Sequence, residues 1–592
     1  MSMKETLVLG IDAGGTHTDA ALMAVPEAEG SLPTARLLGS AKVPTRHDDL
    51  PGTVRAVLVA LGRELGAAGQ DAAPLLGRVE RVTLGTTLAV NALVQGRADK
   101  VGLALSAGPG LDPVHFTLGE HVCIVPGGLD HRGVVVAPLF TETLADTAAR
   151  WPGEGVAAVA CVGKFSPRNP AQEQQMGQVA QAASGLPVTL GHSLSGRLNF
   201  PRRIATAYYN AAVARLEGEF LDAVEAALVR SGVTAPVRLL KADGGAATLA
   251  FSRREPVQSI LSGPAASVMG VMALWPDAAE GCSLLLDMGG TTTDMALFYE
   301  GSPVVDRDGM VLMGRRTLVR ALAAVSIGVG GDSQLRPKTA QDGSLAVHVG
   351  PLREGPALAF GGESPTLLDA LNVLAAPGGV SGDAALSRAG MEALAASLGA
   401  GRVPGGAAQL ARLAVADACD QVVRAAYELV EGVNARPIYT LAALRAVREA
   451  RPERACLVGG PAAVVRPYLE EALGLPVSIP AHAGVANAIG AGLAVPTAAL
   501  EAYADTGRGV LSVPALDLAE HVGRDATVES VAARTRALLE ERLAAEGITD
   551  AAVEVVEADL FAMLDDSGRG SRDIRVTCQV RPGIAARLAP RA

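Results

Sequence analysis

The strongest constraint on the fold of this chain is an internal repeat. Residues 9–22 read LGIDAGGTHTDAAL and residues 284–297 read LLLDMGGTTTDMAL, so an aspartate, two glycines, a threonine and a second aspartate recur in one order. An apolar run precedes the glycines in each copy and another follows, which predicts a strand, a tight turn and a second strand. Chance repetition of this motif inside a matching apolar frame is improbable. The pair therefore predicts two similar half-molecules that face each other.

Length and composition predict a multidomain globular protein of the α/β class. The chain has 592 residues, 49% of them apolar and 19% charged, and domains usually contain about 100–200 residues. The net charge of −11, without a basic cluster that carries aromatic residues, argues against nucleic acid as a partner. No apolar stretch approaches the ~18 residues of a membrane span, and the N-terminus lacks the apolar core of a secretory signal. We expect a cytoplasmic protein that does not contact a membrane.

The cysteines and histidines do not form a metal-binding pattern. The six cysteines are scattered without a C-x-x-C pair, and the nine histidines lack ligand spacing. We expect the cysteines to be buried reduced thiols.

Alternating strand and helix patterns divide the chain into three predicted domains. Residues 1–200 carry the first turn, residues 201–500 carry the second, and residues 501–592 form a small α+β appendage. Within them, 156–165 reads as a strand and 201–230 as a long helix that links the halves. Residues 407–435 read as another helix, after a helical or loop insertion over 376–405. The appendage combines a helix (527–546) with two strands (553–564 and 573–580).

The two turns have the chemistry of a phosphate clamp. A phosphate chain needs several donors that arrive together without obstructing side chains, and a Gly-Gly-Thr turn offers backbone N–H groups and a hydroxyl. The residues predicted to bind the cofactor here are Gly14, Gly15, Thr16 and Thr18 in the first turn and Gly289, Gly290, Thr291 and Thr292 in the second. Asp12 and Asp287 end the preceding strands and are the predicted catalytic and metal-binding residues, holding Mg²⁺ through water.

Two further glycine pairs are candidate nucleotide contacts. Residues 453–474 read as a strand, then Gly459 and Gly460, then a helix, where backbone could approach a flat adenosine closely. Gly330 and Gly331 lie in SIGVGGDS (326–333). Each pair could instead be a structural junction between elements.

At this point the sequence resembles the hydantoinase A/oxoprolinase family. Beyond both turns, the resemblance rests on segments that span roughly residues 5–500 in family order: LGTTLAVNAL (84–93), LKADGGAATL (240–249), SILSGPAASVMG (259–270), SIGVGGDS, GPLREGPALAFGGESPTLLDALNVL (350–374), LVGGPAAVVR and IPAHAGVANAIGAGLA (479–494). It implies a two-lobed actin-like ATPase fold (ASKHA, ribonuclease H-like), with ATP and Mg²⁺ or Mn²⁺ as cofactors. It also implies a small cyclic amide or ketone as substrate, a second large hydantoinase B-like subunit as partner, and an oligomeric assembly.

The resemblance leaves three functions open. The favoured one is an ATP-dependent amidohydrolase subunit that transfers a phosphoryl group to the carbonyl oxygen of a hydantoin, lactam or 5-oxoproline-like ring before the ring opens. The second is the ATP-using β subunit of a ketone carboxylase. The third is a regulatory actin-like ATP-binding module, against which both intact turns count.

Substrate-binding candidates come from the remaining family segments. Thr86, Thr87 and Asn91 offer hydroxyl and amide groups, and Asp243 with Gly244 offers a carboxylate in a glycine turn. Thr87 and Asn91 could equally cap helices, and Ser262-Gly263-Pro264 could be only a turn. His17 and Asp332 replace an aromatic residue and a glycine that the family pattern favours. We expect His17 to be a solvent or packing residue and not a catalytic base.

Overall fold

The computed structural model describes residues 5–27, 32–46, 48–276, 280–306, 309–340, 342–376, 379–435, 449–549, 551–564 and 570–589. Its first sheet has seven strands: β1 (Glu5–Ala13), β2 (His17–Pro26), β3 (Thr34–Pro44), β4 (Val79–Thr86), β11 (Val237–Leu240), β12 (Ala246–Thr248) and β30 (Arg587–Leu588). Their order is β12-β11-β4-β1-β2-β3-β30. Strands β1, β2 and β3 are antiparallel, whereas β4 and β11 run parallel to β1.

A second sheet repeats this arrangement. Its strands are β13 (Cys282–Met288), β14 (Thr293–Tyr299), β15 (Ser302–Pro303), β20 (Ala324–Ile327), β23 (Arg454–Val458) and β24 (Val477–Ser478). Strand β14 pairs antiparallel with β13, β15 and β20, while β23 is parallel to β13 and β24 to β23. The order β20-β14-β13-β23-β24 thus matches β3-β2-β1-β4-β11. The two half-molecules predicted from the repeat have the same strand topology.

The remaining strands form smaller sheets. One sheet contains β5 (Lys100–Ser106), β6 (His121–Ile124), β9 (Val156–Gly163) and β10 (Val188–Leu190), in the order β10-β9-β5-β6. The C-terminal sheet contains β25 (Ala499–Asp505), β26 (Val510–Val513), β27 (Leu518–His521), β28 (Val553–Leu564) and β29 (Gly570–Val580), in the order β27-β26-β25-β29-β28. Four two-stranded pairs are β7 (Gly128–Leu129) with β8 (Val135–Ala137), β16 (Val305–Asp306) with β19 (Ala321–Leu322), β17 (Val311–Leu312) with β18 (Arg315–Arg316), and β21 (Leu335–Thr339) with β22 (Leu345–Val349).

The α-helices in chain order are α1 (Leu50–Ala67), α2 (Ala72–Gly77), α3 (Leu88–Val94), α4 (Glu142–Arg150), α5 (Ala171–Ser184), α6 (Gly191–Leu194), α7 (Phe200–Arg230), α8 (Leu249–Arg254), α9 (Ser262–Leu274), α10 (Leu367–Leu374), α11 (Ala384–Leu398), α12 (Gly406–Asn434), α13 (Ala462–Leu473), α14 (Ala486–Leu493) and α15 (Val528–Ala545). Helices α7, α12 and α15 lie where the sequence predicted long helices, and α11 lies within the predicted insertion. Helix α15 packs on the C-terminal sheet, so the appendage is α+β as predicted.

Helices α9 and α14 pack between the two main sheets and form their shared core. The packing depends on glycines, because backbones approach too closely for a side chain. A Cβ at Gly490 would lie 2.2 Å from the Ala266 carbonyl oxygen, and one at Gly10 would lie 1.8 Å from that of Ala488. Both helices therefore hold the glycine turns of the two sheets at fixed relative positions.

The predicted boundary at residue 200 does not follow the sheets. Strands β11 and β12 lie after it in sequence yet complete the first sheet, and β30 adds to the other edge. The three residue ranges stay a prediction. Adjacency in space here comes from strand pairing and not from order along the chain.

Two expectations about the surface and the thiols can be compared with the structure. All six cysteines are buried and free, as predicted. Within the part of the chain that the structure describes, no helix combines the length and apolar character needed to cross a membrane.

Buried ion pairs attach the C-terminal sheet to the preceding residues. Arg168 binds the Asp573 carboxylate with both terminal nitrogens, at 2.8 and 2.7 Å. His192 is fully buried between two carboxylates: its Nδ1 lies 2.7 Å from Glu173 Oε1 and its Nε2 lies 2.6 Å from Asp517 Oδ1. Asp517 lies directly before strand β27 of the C-terminal sheet. We call this sheet and helix α15 the C-terminal unit, and the charge on His192 contributes to docking of that unit on the preceding residues.

This contact predicts a pH-dependent stability. Burial alone would lower the pKa of His192, but Glu173 and Asp517 outweigh it and raise that pKa above 6.5. The charged contact is therefore complete at pH 5–6.5 and is lost as the pH rises through the raised value. The free energy of unfolding of the wild type should exceed that of His192→Gln by on the order of 2 kcal/mol at pH 6, and by less at pH 9. Thermal unfolding across this range measures the difference. His131→Gln, at an exposed histidine, is the control, and a gap that does not change with pH would contradict the assignment.

Candidate functional site

The two predicted catalytic aspartates occupy equivalent positions in the two sheets. Asp12 on β1 pairs with Asp19 on β2, and Asp287 on β13 pairs with Asp294 on β14. Each first aspartate lies one residue before the end of its strand, immediately ahead of the glycine turn. The repeat seen in the sequence is therefore also a repeat of strand register.

Both glycine turns close with the same hydrogen bond. The Gly14 N–H donates to the His17 carbonyl at 3.1 Å, and the Gly289 N–H donates to the Thr292 carbonyl at 2.9 Å. In each hairpin this bond joins the pair of residues that flanks the two residues at the tip, so the chain reverses tightly, as the sequence predicted.

The tips of the two turns meet. Thr16 Oγ1 lies 3.1 Å from Thr291 Oγ1, although the residues are 275 positions apart. A Cβ added at Gly15 would meet nothing within 4 Å, so the first turn has open space beside its backbone. Thr18 differs from its predicted role, because its hydroxyl is fully buried and bonds to Thr45 at 2.9 Å. The structure thus brings together one threonine from each turn.

Buried carboxylates dominate the electrostatics behind the turns. Burial, together with the charges of Asp19 and Asp287, raises the pKa of Asp12 to about 7. Burial and the Asp287 charge also raise the pKa of Asp294 to about 7. The pKa of Asp19 rises to about 6 through burial, although Lys42 Nζ lies 3.0 Å from its carboxylate. This concentration of negative charge favours a bound cation.

Two residues that the sequence analysis did not single out hold Asp287. Ser267 Oγ on α9 lies 2.5 Å from Asp287 Oδ2, and Asn487 Nδ2 on α14 donates to the same oxygen at 3.3 Å. Asn487 also lies close enough to Asp12 to lower the pKa of that carboxyl, against the larger effect of burial. Both residues lie in segments that carried the family resemblance, so a polar residue inside an otherwise small, apolar helix was the available signal.

The loop with Gly330 and Gly331 packs beneath the second turn. The Gly331 N–H donates to the Gly289 carbonyl at 2.9 Å, and the Gly330 N–H donates to Ser333 Oγ at 2.8 Å. A Cβ at Gly330 would lie 2.6 Å from the Gly290 backbone. The N–H groups of this glycine pair are therefore occupied, and the loop supports the second turn.

Asp332 and Arg353 form an ion pair at the same place. The Asp332 carboxylate accepts a hydrogen bond from Arg353 Nε at 3.2 Å and another from the Ala357 N–H at 3.2 Å. A Cβ at Gly290 would lie 2.6 Å from Asp332 Oδ2, so this carboxylate stands directly behind the second turn. Burial and the charges of Lys42 and Arg353 lower the pKa of His17, which favours the neutral imidazole.

The third glycine pair follows β23 and precedes α13, as predicted. Gly459 has a φ of 99°, and a Cβ there would lie 2.1 Å from the Met288 carbonyl oxygen and 2.8 Å from Asp287 Oδ1. Its lack of a side chain lets this backbone approach Asp287. Gly460 faces open space, with nothing within 4 Å of an added Cβ.

Three of the predicted substrate residues lie next to the first turn. The Thr87 N–H donates to the Ala13 carbonyl at 3.3 Å, and Asn91 Nδ2 donates to Thr87 Oγ1 at 3.2 Å. Thr86 is buried, and its carbonyl accepts a hydrogen bond from Ser262 Oγ at 2.8 Å. Ser262 begins helix α9, so its segment is more than a turn.

Asp243 and Gly244 lie apart from this group. The Asp243 carboxylate is buried and accepts hydrogen bonds from Thr497 Oγ1 at 3.0 Å, from the Gly245 N–H at 3.0 Å and from Lys241 Nζ at 3.2 Å. It lines a cavity of about 630 Å³ whose described lining includes no residue of the two glycine turns. A Cβ at Gly244 would meet the Met269 side chain at 2.7 Å. The structure thus divides the predicted substrate residues between two places.

Among the residues that the structure describes, Asp12 and Asp287 are not part of a preformed set of metal ligands. In the described ranges, no group of three or more His, Cys, Asp and Glu side chains is arranged to hold a metal ion.

Comparison with known proteins identifies relatives of this chain. The family model described as hydantoinase/oxoprolinase matches residues 203–499, and the model for the N-terminal region of the same family matches residues 8–184. Caprolactamase subunit alpha from Pseudomonas jessenii is 27% identical over 398 residues, which cover 62% of this chain and 54% of that protein. The chain thus spans about half the length of this curated relative.

Two solved structures share the fold. Acetone carboxylase, in a nucleotide-free structure, superposes with a TM-score of 0.69 at 18% identity. The ATP-dependent caprolactamase from Pseudomonas jessenii superposes with a TM-score of 0.67 at 20% identity. Each comparison covers 98% of this chain and 88% of the other. With matches to both family models across most of its length, the chain belongs to the hydantoinase/oxoprolinase family.

Proposed function

We propose that the chain is an ATP-dependent enzyme subunit with a two-lobed actin-like (ribonuclease H-like) fold that acts on cyclic amides. One observation carries the proposal: two equivalent glycine turns, each preceded by a buried aspartate, meet tip to tip from two sheets of matching strand order. A phosphate chain between the turns would receive backbone N–H groups and threonine hydroxyls from both sides. The Thr16–Thr291 contact has to open for this.

The position of Gly460 also supports the proposal that a nucleotide binds beside the second turn. Gly460 follows β23, the strand parallel to β13, so it stands at the same sheet edge as the second turn. Open space beside its backbone would let a flat adenosine approach. Gly331 and Gly330, in contrast, serve the site by supporting the second turn.

The carboxylates fit a divalent cation. Asp12 Oδ1 is buried without a hydrogen-bond partner, and burial together with the charges of Asp19 and Asp287 raises the pKa of Asp12 to about 7. Asp12 and Asp287 would hold Mg²⁺ (or Mn²⁺) through water and phosphate oxygens, since the described residues form no protein cage. When bound, such an ion neutralises phosphate oxygens during phosphoryl transfer.

The proposed reaction activates an unreactive carbonyl. The amide oxygen of the ring attacks the γ-phosphorus, the bond to the β-phosphate oxygen breaks, and ADP leaves. Water then adds to the carbon that bears the phosphorylated oxygen, the ring C–N bond breaks as the nitrogen takes a proton, and a second water hydrolyses the resulting acyl phosphate to a carboxylate and inorganic phosphate. Thr87 and Asn91 lie beside the first turn, within reach of a ring held there, and would orient the amide oxygen in line with the phosphorus.

The proposed substrate is a lactam, hydantoin or related imide, as the caprolactamase relative suggests. The alternative is a ketone, because acetone carboxylase shares the fold. ATP cleavage measured against a panel of lactams, hydantoins and ketones, with and without bicarbonate, separates the two. Stimulation by a lactam alone supports the proposal, and stimulation by a ketone only with bicarbonate refutes it.

We also propose a second large subunit, because the relative with this likeness is itself a subunit. The isolated chain should therefore cleave ATP but open rings poorly, since its turns supply phosphoryl transfer and not an activated water. Adding a hydantoinase B-like subunit should raise ring opening at least roughly tenfold and change ATP affinity little. NMR of the ring and an ADP assay measure the two. Ring opening by the isolated chain at the rate of its ATP cleavage would contradict the two-subunit proposal.

The ion pair behind the second turn predicts a charge effect on nucleotide binding. In Arg353→Gln, the Asp332 carboxylate loses its counter-charge directly behind Gly290, so ATP affinity should fall roughly tenfold. Asp332→Asn should restore affinity in the double variant because the repelling charge is gone. Calorimetric titration with Mg·ATP measures all three proteins. Equal loss in the single and double variants would show that Arg353 acts on the nucleotide directly.

A further inference from the structure

The cavity beside Asp243 lies where the C-terminal unit meets both halves of the molecule. Its volume is about 630 Å³, which suits a small-molecule ligand. We call it the charged cavity and define it by six of its lining residues, namely Lys241, Asp243, Glu255, Arg320, Arg542 and Glu554.

Several charges in this cavity are neutralised by neighbours. Lys241 Nζ lies 3.2 Å from Asp243 Oδ2, and Arg581 Nε lies 2.5 Å from Glu554 Oε1. These pairs satisfy each other, so a ligand would have to be recognised by the charges that remain.

Arg320 is the cation that remains available. It is half-buried and makes no hydrogen bond to any residue that the structure describes, although a guanidinium offers five N–H donors. Its charge is close enough to Asp243 and Glu554 to lower the pKa of both carboxyls. A half-buried arginine with unused donors is suited to bind a carboxylate in a bidentate manner.

Glu255 is the matching anion. Its side chain is 8% exposed, and its hydrogen bonds to Arg254 and to Gln258 are all long, at 3.3–3.4 Å. Burial raises the pKa of Glu255 in spite of the nearby Arg542 and Arg254 charges. A buried carboxylate with long hydrogen bonds can accept a shorter one from an ammonium group.

Apolar groups complete the wall. The same cavity is lined by Phe251, Leu318 and Val304. Lys241 Nζ lies 5.8 Å from the centre of the Phe251 ring, and Arg542 Cζ lies 5.4 Å from it. The cavity therefore offers a cation, an anion and hydrocarbon surface to one ligand.

We propose that the charged cavity binds a small zwitterionic amino acid, with its carboxylate at Arg320, its ammonium at Glu255 and its hydrocarbon chain along Phe251. This site is separate from the glycine turns and goes beyond the proposed function. Only the choice of probe rests on that function, because opening of a lactam ring gives an ω-amino acid.

The test is equilibrium binding of 6-aminohexanoate to the full chain without nucleotide, measured by calorimetry and ligand-observed NMR. Hexanoate and hexylamine have the same chain length and lack one charge each. We expect saturable binding of 6-aminohexanoate, at least tenfold weaker binding of both controls, and no dependence on ATP. ATP cleavage is assayed separately, so failure of one proposal leaves the other standing.

Two variants locate the ligand. Arg320→Met should weaken binding of 6-aminohexanoate at least tenfold, and so should Glu255→Gln. Arg316→Met makes the same change at an exposed arginine outside the cavity lining and should leave binding unchanged. Thermal unfolding checks that each variant is folded. Absence of saturable binding, affinity that is unaffected in a folded Arg320→Met variant, or hexanoate that binds as tightly as 6-aminohexanoate would each overturn the proposal.

Discussion

Replacing Asp287 with Asn is expected to reduce ATP cleavage by roughly a hundred- to a thousandfold. The change keeps the shape of the side chain and removes the negative charge that would hold a phosphate-bound cation at the second turn. Folding should be affected little, because the hydrogen bonds to Ser267 and Asn487 can still form with an amide. A steady-state ADP assay at saturating Mg·ATP measures the loss.

The matched control is Asp420→Asn, which removes the same charge from an exposed position on helix α12. It should cleave ATP like the wild type. Calorimetry separates a loss of binding from a loss of turnover. Near-normal turnover in the folded Asp287→Asn protein would remove Asp287 from the catalytic site, and the equivalence of the two turns would then be structural alone.

Replacing Asp12 with Asn is expected to stabilise the nucleotide-free protein while it abolishes the response to Mg²⁺. The Asp12 carboxyl is buried, one of its oxygens has no partner, and its pKa rises from 3.8 to about 7. A charged group with a raised pKa costs stability as the pH increases from 3.8 to 7, and the cost is constant above that. At pH 8 the gain should be roughly 2–4 kcal/mol, since one pKa unit corresponds to about 1.4 kcal/mol.

Thermal and denaturant unfolding between pH 4 and pH 8 tests this expectation. The variant's advantage should grow through this range and level off above pH 7. Asp19 and Lys42 remain in both proteins, and relief of the repulsion between Asp19 and a charged Asp12 is part of the expected gain. A variant that is less stable than wild type at pH 8 would mean that the Asp12 charge is compensated in the folded protein.

Much of the site followed from the sequence because the residues that build it are local. Gly14, Gly289 and their aspartates stand in one short repeat, and a turn closed by a hydrogen bond over three residues needs no distant partner. Gly459 was predicted for the same reason, as a glycine between a strand and a helix. Thr18 had the same local signal, yet its buried hydroxyl bonds to Thr45, whose hydroxyl donates to the Gly14 carbonyl.

Other roles depend on contacts that no local pattern records. Ser267 and Asn487 reach Asp287 only because α9 and α14 pack between the sheets, and that packing depends on backbone approach at Gly490. Asp243 has a motif like that of the first turn, but the structure places it in the charged cavity.

The sequence by itself determined the duplicated strand–turn–strand units, the buried thiols and the family of this chain. These follow from periodicity and from motifs that are continuous in the chain. Only the tertiary structure decided that Thr16 meets Thr291, that four aspartates share one buried region, and that Arg320 and Glu255 face one cavity. The physical reason is that distances between side chains remote in sequence are set by helix and sheet packing, and the electrostatic energies that shift a pKa depend on those distances.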